Sequence, residues 1–258
     1  MAVVTGAARG LGAALSCGLA AKGVRVALAD VDESVVATAA KVGRGATGHV
    51  VDVSDPAQVE ALAREVDERH ARVDLLVNNA GVAVSGRFEE VPLADLEWLM
   101  RVNFGGVVHG CRAFLPILRR GAEAHIVNVA SSFAWLGFAG KSAYSASKAA
   151  VRALSESLRA ELFGTGVGVT VLFPGPLDTG LVAGGRAVDP AQRDREARFV
   201  AARALPLERV VARALRAVER DHARVVVGVD YRLLDAAVRL SPDLALAGAI
   251  RAQRRMPF

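Results

Sequence analysis

The sequence predicts a single α/β domain built around a parallel β-sheet. Short Val-rich runs alternate with longer Ala- and Leu-rich runs of helical periodicity, an alternation typical of repeated strand–helix units. Hydrophobic residues make up 52% of the 258-residue chain, which is ample for one large core. The chain contains no internal repeat, low-complexity tract or change of composition, so we expect one domain over residues 1–258.

The composition argues against several classes of function. The formal net charge is +5, but the 32 basic residues are scattered among 27 acidic ones, so no nucleic-acid-binding face is predicted. Two cysteines without CxxC and five histidines without HxxxH spacing predict no metal site and no disulfide framework. No apolar run reaches the ~18 residues of a membrane span and no targeting segment is visible, so we expect a cytoplasmic protein.

The first predicted strand, Ala2–Thr5, runs into the glycine-rich loop TGAARGLG. Gly6, Gly10 and Gly12 allow a tight turn and close approach of the backbone to a phosphate, and a predicted helix over 13–22 points its N-terminus there. A P-loop is excluded because no Lys-Ser/Thr follows the last glycine. The loop predicts a nucleotide-binding site, with a plain glycine-rich turn as the alternative.

The second predicted strand, over 24–29, ends at Asp30, about 20 residues after the loop. A carboxylate at this position can accept hydrogen bonds from the ribose hydroxyls of an adenosine, and it would repel a 2′-phosphate. Asp30 therefore favours NAD over NADP.

Four further elements are predicted before the centre of the chain: a helix over 33–41, a strand over 49–53, a helix over 56–70 and a strand over 73–77. The first of these strands ends on Asp52-Val53, and the second runs into Asn78-Asn79-Ala80-Gly81. A long helical pattern over 93–118 then follows, interrupted by Asn103 and by Gly105-Gly106.

The stretch over residues 126–148 contains the candidate residues for proton transfer. A buried strand over 126–129 precedes Ser131, and Tyr144 stands four residues before Lys148 at the start of a predicted helix. Positions i and i+4 share one helix face, so the two side chains can be neighbours. A cation beside a phenol lowers its pKa from about 10, which makes Tyr144 a usable proton donor and acceptor. A serine after the strand could hold the oxygen on which the proton moves.

The C-terminal part of the chain completes the alternation. A strand over 167–173 leads into the loop PGPLDTG, 174–180, and residues 181–205 show no fixed pattern. A helix over 207–220, a strand over 225–229 and a helical tail from Leu233 toward Arg255 follow, the tail being interrupted at Ser241-Pro242.

These motifs resemble those of the short-chain dehydrogenase/reductase family. TGxxxGxG, NNAG, Tyr-x-x-x-Lys with its preceding serine, and PGxxxT occur in the family's order between residue 2 and about residue 230. The resemblance implies a doubly wound, Rossmann-type parallel sheet in three layers, with strand order 3-2-1-4-5-6-7 and the ligand at the carboxyl ends of the strands. It also implies hydride transfer between a nicotinamide cofactor and a secondary alcohol or ketone.

The resemblance implies a role for each motif residue. Tyr144 would be the general acid/base, Ser131 would hold the substrate oxygen, and Lys148 would lower the tyrosine pKa and bind the nicotinamide ribose. The backbone of Asn103 would keep a water in the proton relay. The positions that would contact the cofactor are Gly6, Arg9, Gly10, Leu11, Gly12, Asp30, Asp52, Val53, Asn79, Ala80, Gly81, Tyr144, Lys148, Pro174, Gly175, Leu177 and Thr179.

The resemblance also has implications for the choice between NAD and NADP, for a lid over the substrate and for the oligomeric state. In relatives that use NADP, a basic residue at the place of Arg9 often contacts the 2′-phosphate, so NAD is favoured and NADP is possible. Residues 181–205 correspond to a substrate lid, whose arginines could bind an acidic substrate or form a solvated face. Residues 231–258 would be a C-terminal helical tail. The resemblance also implies a homo-tetramer or homo-dimer. The predicted long helices over 93–118 and 142–163 support this, because they carry more apolar positions than one packed face requires.

The sequence does not identify the substrate, and it leaves three alternative functions open. Aromatic and aliphatic residues after Ser131 predict an apolar substrate pocket, but an NADP-dependent 3-ketoacyl-thioester reductase would also fit. A dinucleotide-binding regulator or scaffold is the non-enzymatic alternative. Ser145-Ala-Ser-Lys148 matches the SxxK of serine hydrolases, but the companion S-D-N and K-T-G motifs are absent from the sequence.

Overall fold

The β-strands and helices follow the predicted alternation. The structure is a computed structural model and describes residues 1–253. Its strands are β1 (Ala2–Thr5), β2 (Val26–Asp30), β3 (Thr47–Val50), β4 (Leu75–Asn78), β5 (Val84–Ser85), β6 (Ala124–Val129), β7 (Val167–Pro174), β8 (Arg186–Ala187) and β9 (Arg224–Val227). Its helices are α1 (Gly10–Ala21), α2 (Ser34–Val42), α3 (Pro56–His70), α4 (Leu93–Met100), α5 (Gly106–Leu118), α6 (Ser142–Glu161), α7 (Pro190–Ala201), α8 (Leu207–Glu219), α9 (Val229–Leu240) and α10 (Pro242–Gln253).

Seven strands form one parallel sheet in the order β3-β2-β1-β4-β6-β7-β9. This is the predicted doubly wound order, in which the chain builds outward from β1 on one side and from β4 on the other. The central strands β1, β4 and β6 are buried at every residue, as expected for a parallel sheet covered by helices on both faces. One core cluster lies against α3, α5 and α6 and another against α1 and α8, which confirms the three layers.

The third strand ends earlier than predicted. A strand over 49–53 is wrong because β3 pairs with β2 only over Thr47–Val50. The backbone then turns, and the Asp52 carboxylate accepts a hydrogen bond from the Ser54 N–H at 2.8 Å. Asp52 and Val53 therefore lie in the turn before α3 and not at the end of a strand.

The helical stretch over 93–118 is continuous, and the predicted interruption is a π-helical turn. This turn, Arg101–Gly105, joins α4 to α5, and its extra residue places Asn103 completely inside the protein. Gly106 then allows α5 to approach the chain before α3, because a Cβ at Gly106 would lie 2.7 Å from Val53 Cγ2.

Other predicted boundaries shift by one to four residues. The first helix begins at Gly10 and not at residue 13, so part of the glycine-rich loop forms the first helical turn. The last strand ends at Val227, and the tail helix begins at Val229 and not at Leu233.

The segment over residues 181–205 is more ordered than its sequence pattern indicates. It contains β8, which pairs with β5 in a separate two-stranded parallel sheet, and α7. The Asp189 carboxylate caps α7 by accepting the N–H of Ala191 at 2.8 Å, and Pro190 occupies the first helical position.

The predicted tail forms two helices, α9 and α10, that pack against each other. Residues 254–258 of the predicted tail lie outside the described residues. Within residues 1–253, no helix has the length and apolar character needed to cross a membrane.

Candidate active site

The carboxyl ends of β1, β4, β6 and β7 meet at one edge of the sheet, beside a cavity of about 710 Å³. Residues of the glycine-rich loop 6–12, the loop 79–81, Ser131 and the loop 174–180 follow these four strands and line the cavity. The first turns of α6 close one side. This is where ligands bind in a doubly wound sheet.

Tyr144 and Ser131 both line this cavity, and the Ser131 side chain is close enough to the Tyr144 hydroxyl to affect its pKa. Ser131 follows β6 and caps a short 3₁₀ helix, where its Oγ accepts the N–H of Phe133 at 3.2 Å. Tyr144 lies in the first turn of α6, with its ring edge-on to the Phe133 ring at 5.8 Å between centroids. The structure therefore brings the predicted pair together at the cavity.

Lys148 lies one helical turn beyond Tyr144, and its Nζ is 5.9 Å from the centre of the Tyr144 ring. The residue is 4% exposed, and its ammonium donates a hydrogen bond to the Val129 carbonyl oxygen at 2.9 Å. Burial lowers the pKa of Lys148 to about 8. The lysine is thus a buried basic group beside the phenol, as the i, i+4 spacing predicts.

The pKa of Tyr144 differs from the sequence prediction. Burial of the phenol raises its pKa above the ordinary value, and the hydrogen bond with Ser131 offsets part of that increase. The Lys148 ammonium is directed to the Val129 carbonyl oxygen, so the expected lowering by the lysine does not dominate. A lowered tyrosine pKa is therefore wrong for this structure, because helical spacing does not report desolvation.

Asn103 connects the loop after β4 to α6. Its Oδ1 accepts the N–H of Val82 at 2.8 Å, and its Nδ2 donates to the Val82 carbonyl at 3.0 Å. The Nδ2 also donates to Ser147 Oγ at 3.2 Å, and Ser147 donates to the Tyr144 carbonyl at 2.8 Å. The side chain therefore supports the helix turn that carries Tyr144, and the role of its backbone toward a water stays a prediction.

The glycine-rich loop has the backbone geometry of a phosphate cradle. Gly6 and Gly10 have φ angles of +64° and +59°, a region that L side chains rarely adopt. A Cβ at Gly12 would lie 2.1 Å from the Gly6 carbonyl oxygen. Because α1 begins at Gly10, its N-terminus is directed to the loop. These residues fit the pyrophosphate of a dinucleotide.

Asn79 and Ala80 fasten this loop to the end of β4. The Asn79 Nδ2 donates to the carbonyl oxygens of Thr5 and Gly6 at 2.9 and 3.0 Å. The Thr5 hydroxyl oxygen accepts the N–H groups of Asn79 and Ala80 at 3.0 and 3.1 Å. The predicted NNAG motif thus holds the ends of β1 and β4 together beneath the cavity.

Asp30 lies at the end of β2 and supports the same loop. Its Oδ2 accepts the N–H of Ala8 at 2.9 Å, and its Oδ1 accepts the N–H of Asp32 at 3.0 Å. The Arg9 side chain is 69% exposed and forms an ion pair with Asp32 at 3.2 Å. The carboxylate is therefore held in position, whereas the arginine is solvated and paired with a different acid.

The loop 174–180 lies against the glycine-rich loop. A Cβ at Gly10 would come within 2.7 Å of Thr179 Cβ, so these loops are in close contact. Gly175 lies against the ring of Tyr231 on α9, where a Cβ would be 2.9 Å from the ring carbons. The PGxxxT segment thus joins the glycine-rich loop to the C-terminal helices.

Most of the predicted cofactor positions line the cavity, and Asp52 and Val53 do not. The Val53 carbonyl accepts a hydrogen bond from His109 Nδ1 at 2.9 Å, away from the cavity. Gly10, Gly12 and Asp30 adjoin the cavity through the loop. The predicted positions that line it are Gly6, Arg9, Leu11, Asn79, Ala80, Gly81, Tyr144, Lys148, Pro174, Gly175, Leu177 and Thr179.

Part of the cavity wall is absent from the sequence predictions. A buried polar cluster consists of Ser85, Lys141 and Glu196. The spacing of Lys141 three residues before Tyr144 could have indicated a common face, but Glu196 is 55 residues from Lys141 in sequence. The helices α9 and α10 also contribute to the wall. The contribution of α10 consists of small residues, Ala245, Gly248, Ala249 and Ala252, whereas α9 contributes Asp230, Tyr231, Leu234 and Ala237.

The structure gives no support for a metal site or for a serine nucleophile in the described residues. In residues 1–253, no group of three or more His, Cys, Asp or Glu side chains is placed to hold a metal ion. Ser145 of the SxxK motif has a buried Oγ without a hydrogen-bond partner in the described part of the chain, and Lys148 bonds to Val129 instead. A lysine-activated serine nucleophile therefore does not fit this geometry.

Sequence comparisons find relatives of this chain among known proteins. The family described as "short chain dehydrogenase" matches residues 1–188. The probable oxidoreductase EphD of Mycobacterium tuberculosis is 44% identical over 185 residues, which are 70% of this chain but only 31% of EphD. The putative oxidoreductase SadH of the same organism is 34% identical over 248 residues, covering 93% of this chain and 90% of SadH.

A third relative and a solved structure extend the similarity. The 1-deoxy-11-beta-hydroxypentalenate dehydrogenase of Streptomyces exfoliatus is 44% identical over 190 residues, covering 71% of this chain and 69% of the relative. A short chain dehydrogenase/reductase from Burkholderia phymatum, crystallised in complex with NAD, has a TM-score of 0.83 at 33% identity. That alignment covers 93% of this chain and 94% of the other.

Proposed function

The chain belongs to the short-chain dehydrogenase/reductase family, and from that membership we propose that it is an NAD-dependent oxidoreductase. It transfers a hydride between the nicotinamide and a secondary alcohol or ketone of apolar character. The observation that carries this proposal is that Tyr144 and Ser131 lie together in the same cavity as the glycine-rich loop.

The bound cofactor supplies the hydride chemistry, and the residues of this chain orient the substrate and move the proton. Tyr144 gives its hydroxyl proton to the substrate oxygen in reduction and takes it back in oxidation. Ser131, which lines the cavity beside Tyr144, donates to the same substrate oxygen. Lys148, which lies beside the Tyr144 ring in the same cavity, is placed to bind the nicotinamide ribose.

An apolar substrate is supported by the composition of the cavity wall. The Phe133 and Phe138 rings pack at 4.5 Å between centroids beside Tyr144, and aliphatic side chains line the same cavity. The similarity to a dehydrogenase named for a hydroxyl-bearing substrate agrees with a secondary alcohol. The aliphatic residues of this wall are Val82, Ala83, Leu181, Val182 and Val200.

A cofactor-coupled screen tests the proposed reaction. The purified chain is mixed with NAD and apolar secondary alcohols, and separately with NADH and the matching ketones, and the absorbance of the reduced nicotinamide is followed. Turnover of at least one pair supports the proposal. Cofactor binding without turnover of any alcohol or ketone would contradict it and would favour a dinucleotide-binding regulator.

The cofactor preference is expected to depend on Asp30. Its carboxylate accepts hydrogen bonds from ribose hydroxyls, and charge-assisted bonds of this kind contribute ~1.5–3 kcal/mol. A 2′-phosphate would meet like charge, and Arg9 is solvated and already paired with Asp32, so it offsets little of the repulsion. We expect NAD to be preferred by at least about tenfold in kcat/KM, equivalent to ~1.4 kcal/mol.

Steady-state kinetics of two variants with both cofactors measure this preference. Asp30→Ala should narrow or invert the NAD to NADP ratio, whereas Arg9→Ala should lower only the residual activity with NADP. An unmutated protein that uses NADP as efficiently as NAD would show that Arg9 decides the preference.

We also propose a homo-dimer or homo-tetramer. Large apolar side chains on the outer faces of α9 and α10 are exposed, Leu233 by 66%, Leu240 by 86% and Leu244 by 74%, and such surfaces are typical of subunit contacts. Sedimentation velocity at micromolar concentration should give a mass of two or four chains. A monomer under these conditions would refute the assembly.

A reducing, cytoplasmic location belongs to the same proposal. Cys17 and Cys111 are both free, and burial raises the pKa of the Cys111 thiol to about 11, which keeps it unreactive. Unpaired cysteines of this kind are typical of reducing compartments.

A further inference from the structure

A buried ion pair in the cavity wall has no part in the proposed proton transfer. Lys141 lies directly before α6, and its Nζ bonds to the carboxylate of Glu196 on α7. The two side chains are only 8% and 1% exposed. Both residues line the cavity that contains Tyr144.

Every oxygen of the Glu196 carboxylate has a partner. The Oε2 accepts hydrogen bonds from Lys141 Nζ and from the Ser85 hydroxyl, the latter at 2.8 Å. The Oε1 accepts a hydrogen bond from Gln192 Nε2 at 3.1 Å. Lys141 Nζ also donates to Ser85 Oγ. A fully desolvated pair of this kind strongly resists the loss of one partner, because the remaining charge would be buried alone.

The Lys141 end of the pair is attached to the helix turn that carries the acid/base. The Lys141 carbonyl accepts the N–H of Ser145 at 2.8 Å, so this residue is part of the first hydrogen-bonded turn of α6. Tyr144 lies within that turn. A displacement of Lys141 would therefore also displace the start of α6.

The Glu196 end is attached to the helix face that meets the substrate. Phe199 and Val200 follow Glu196 at i+3 and i+4 on one side of α7, and Arg203 lies just after the end of the helix. All four residues line the cavity. The Arg203 guanidinium stacks on the Phe199 ring at 3.9 Å. The ion pair thus joins a cavity-lining face of α7 to the turn that carries Tyr144.

The chain just before α7, which contains β8, is held by a separate set of contacts. β8 pairs with β5, and Arg186 forms an ion pair with Asp95 at 2.6 Å and stacks on Trp98 at 3.8 Å. These contacts hold β8, which packs against α7, and they lie about ten residues before Glu196 along the chain. The Lys141–Glu196 pair adds a second point of attachment, further along α7.

We propose that Lys141 and Glu196 are positioning residues that dock α7 on the active site and so determine which substrates the cavity accepts. The effect on substrates rests on the proposed oxidoreductase function, whereas the docking of α7 does not. The pair holds the apolar wall at a set distance from the Tyr144 hydroxyl. Loss of the pair releases the wall without touching the cofactor loop.

The test compares Glu196→Gln, Lys141→Met and the double variant with the unmutated chain. Arg195→Gln is the matched control, because it removes the neighbouring exposed ion pair of α7 with Asp189. Either single change leaves one buried group without its partner, so the double variant, which removes both charges, is the form whose folding is best protected. NAD affinity by fluorescence titration reports whether each variant retains the cofactor site.

The first readout is limited proteolysis with trypsin, which needs no substrate. The α7 segment offers cleavage sites at Arg193, Arg195 and Arg198. Trypsin cleaves a native helix only when the helix opens locally, and a helix that has lost its docking contact opens more often. Cleavage at these sites should therefore be at least about tenfold faster in both single variants. In the Arg195→Gln control, cleavage at Arg193 and Arg198 should be as slow as in the unmutated chain. Unchanged cleavage in both single variants would overturn the proposal.

The second readout is kinetic and uses the substrate found in the screen. KM should rise by about tenfold or more in each single variant, whereas kcat and NAD affinity stay within a few-fold. The double variant should be no worse than the worse single, because the two residues act as one pair. Multiplying effects, or equal loss of NAD affinity, would overturn the proposal in favour of independent or general structural roles. If no substrate turns over, the proposed function fails, but the proteolysis result still decides the docking.

Discussion

Turnover should fall by about 10²- to 10⁴-fold when Tyr144 is replaced by phenylalanine, because only the proton-carrying oxygen is removed. The ring would keep its edge-on contact with Phe133, so the shape of the site should be preserved. NADH affinity should stay within a few-fold, since no backbone of the cofactor loop is disturbed. Turnover assays and a fluorescence titration with NADH measure the two quantities on one preparation.

Tyr231→Phe is the matched control for this change. Tyr231 is the second of only two tyrosines in the chain, and it lines the same cavity from α9. Removing its oxygen should leave kcat within a few-fold, because it is not paired with Ser131. Comparable losses in both variants, or substantial activity in Tyr144→Phe, would show that Tyr144 does not carry the proton.

Gly12→Ala should greatly weaken NAD binding and destabilise the fold. The added methyl group would lie 2.1 Å from the Gly6 carbonyl oxygen and 2.7 Å from Asn79 Nδ2. Both are parts of the cradle under the cavity, so the clash can be relieved only by moving the loop. Overpacking of this kind costs ~1–3 kcal/mol, and we expect Tm to fall by about 5 °C or more. NAD affinity should fall by at least about tenfold, measured by fluorescence titration.

Gly121→Ala provides the control for glycine replacement as such. A Cβ at Gly121 would be no closer than 3.6 Å to its neighbours, an ordinary contact distance, and its φ is not positive. Its Tm and NAD affinity should match those of the unmutated chain. If Gly12→Ala behaved like this control, the loop would not be the close-packed cradle inferred from its geometry.

The sheet and its order could be predicted because they depend on local patterns. Val-rich strands such as β1 and β6 are buried at every residue, so their continuous apolar runs are visible in the sequence. The strand order follows from the family resemblance and from the handedness of parallel connections. The end of β3 was less predictable, because it depends on a turn closed by Asp52 and not on apolar periodicity.

The central part of the site was predictable for a similar reason. Tyr144 and Lys148 are neighbours on one helix, so their spacing alone brings them together. Glycines that meet backbone or another loop, such as Gly6 and Gly10, mark positions where only glycine is tolerated. Sequence spacing thus determines which groups can meet.

The tertiary structure alone decided how those groups behave and what surrounds them. Desolvation raises the pKa of Tyr144 and lowers that of Lys148, and this effect depends on atoms contributed by distant segments. The pairing of Lys141 with Glu196 spans 55 residues, and the small side chains of α10 become cavity wall only after the tail folds back. By itself the sequence therefore determined the sheet, the glycine-rich loop and the candidate acid/base residues, because these follow from spacing within single elements. The proton affinities and the substrate wall required the packed fold, because burial and long-range contacts have no signature in a local pattern.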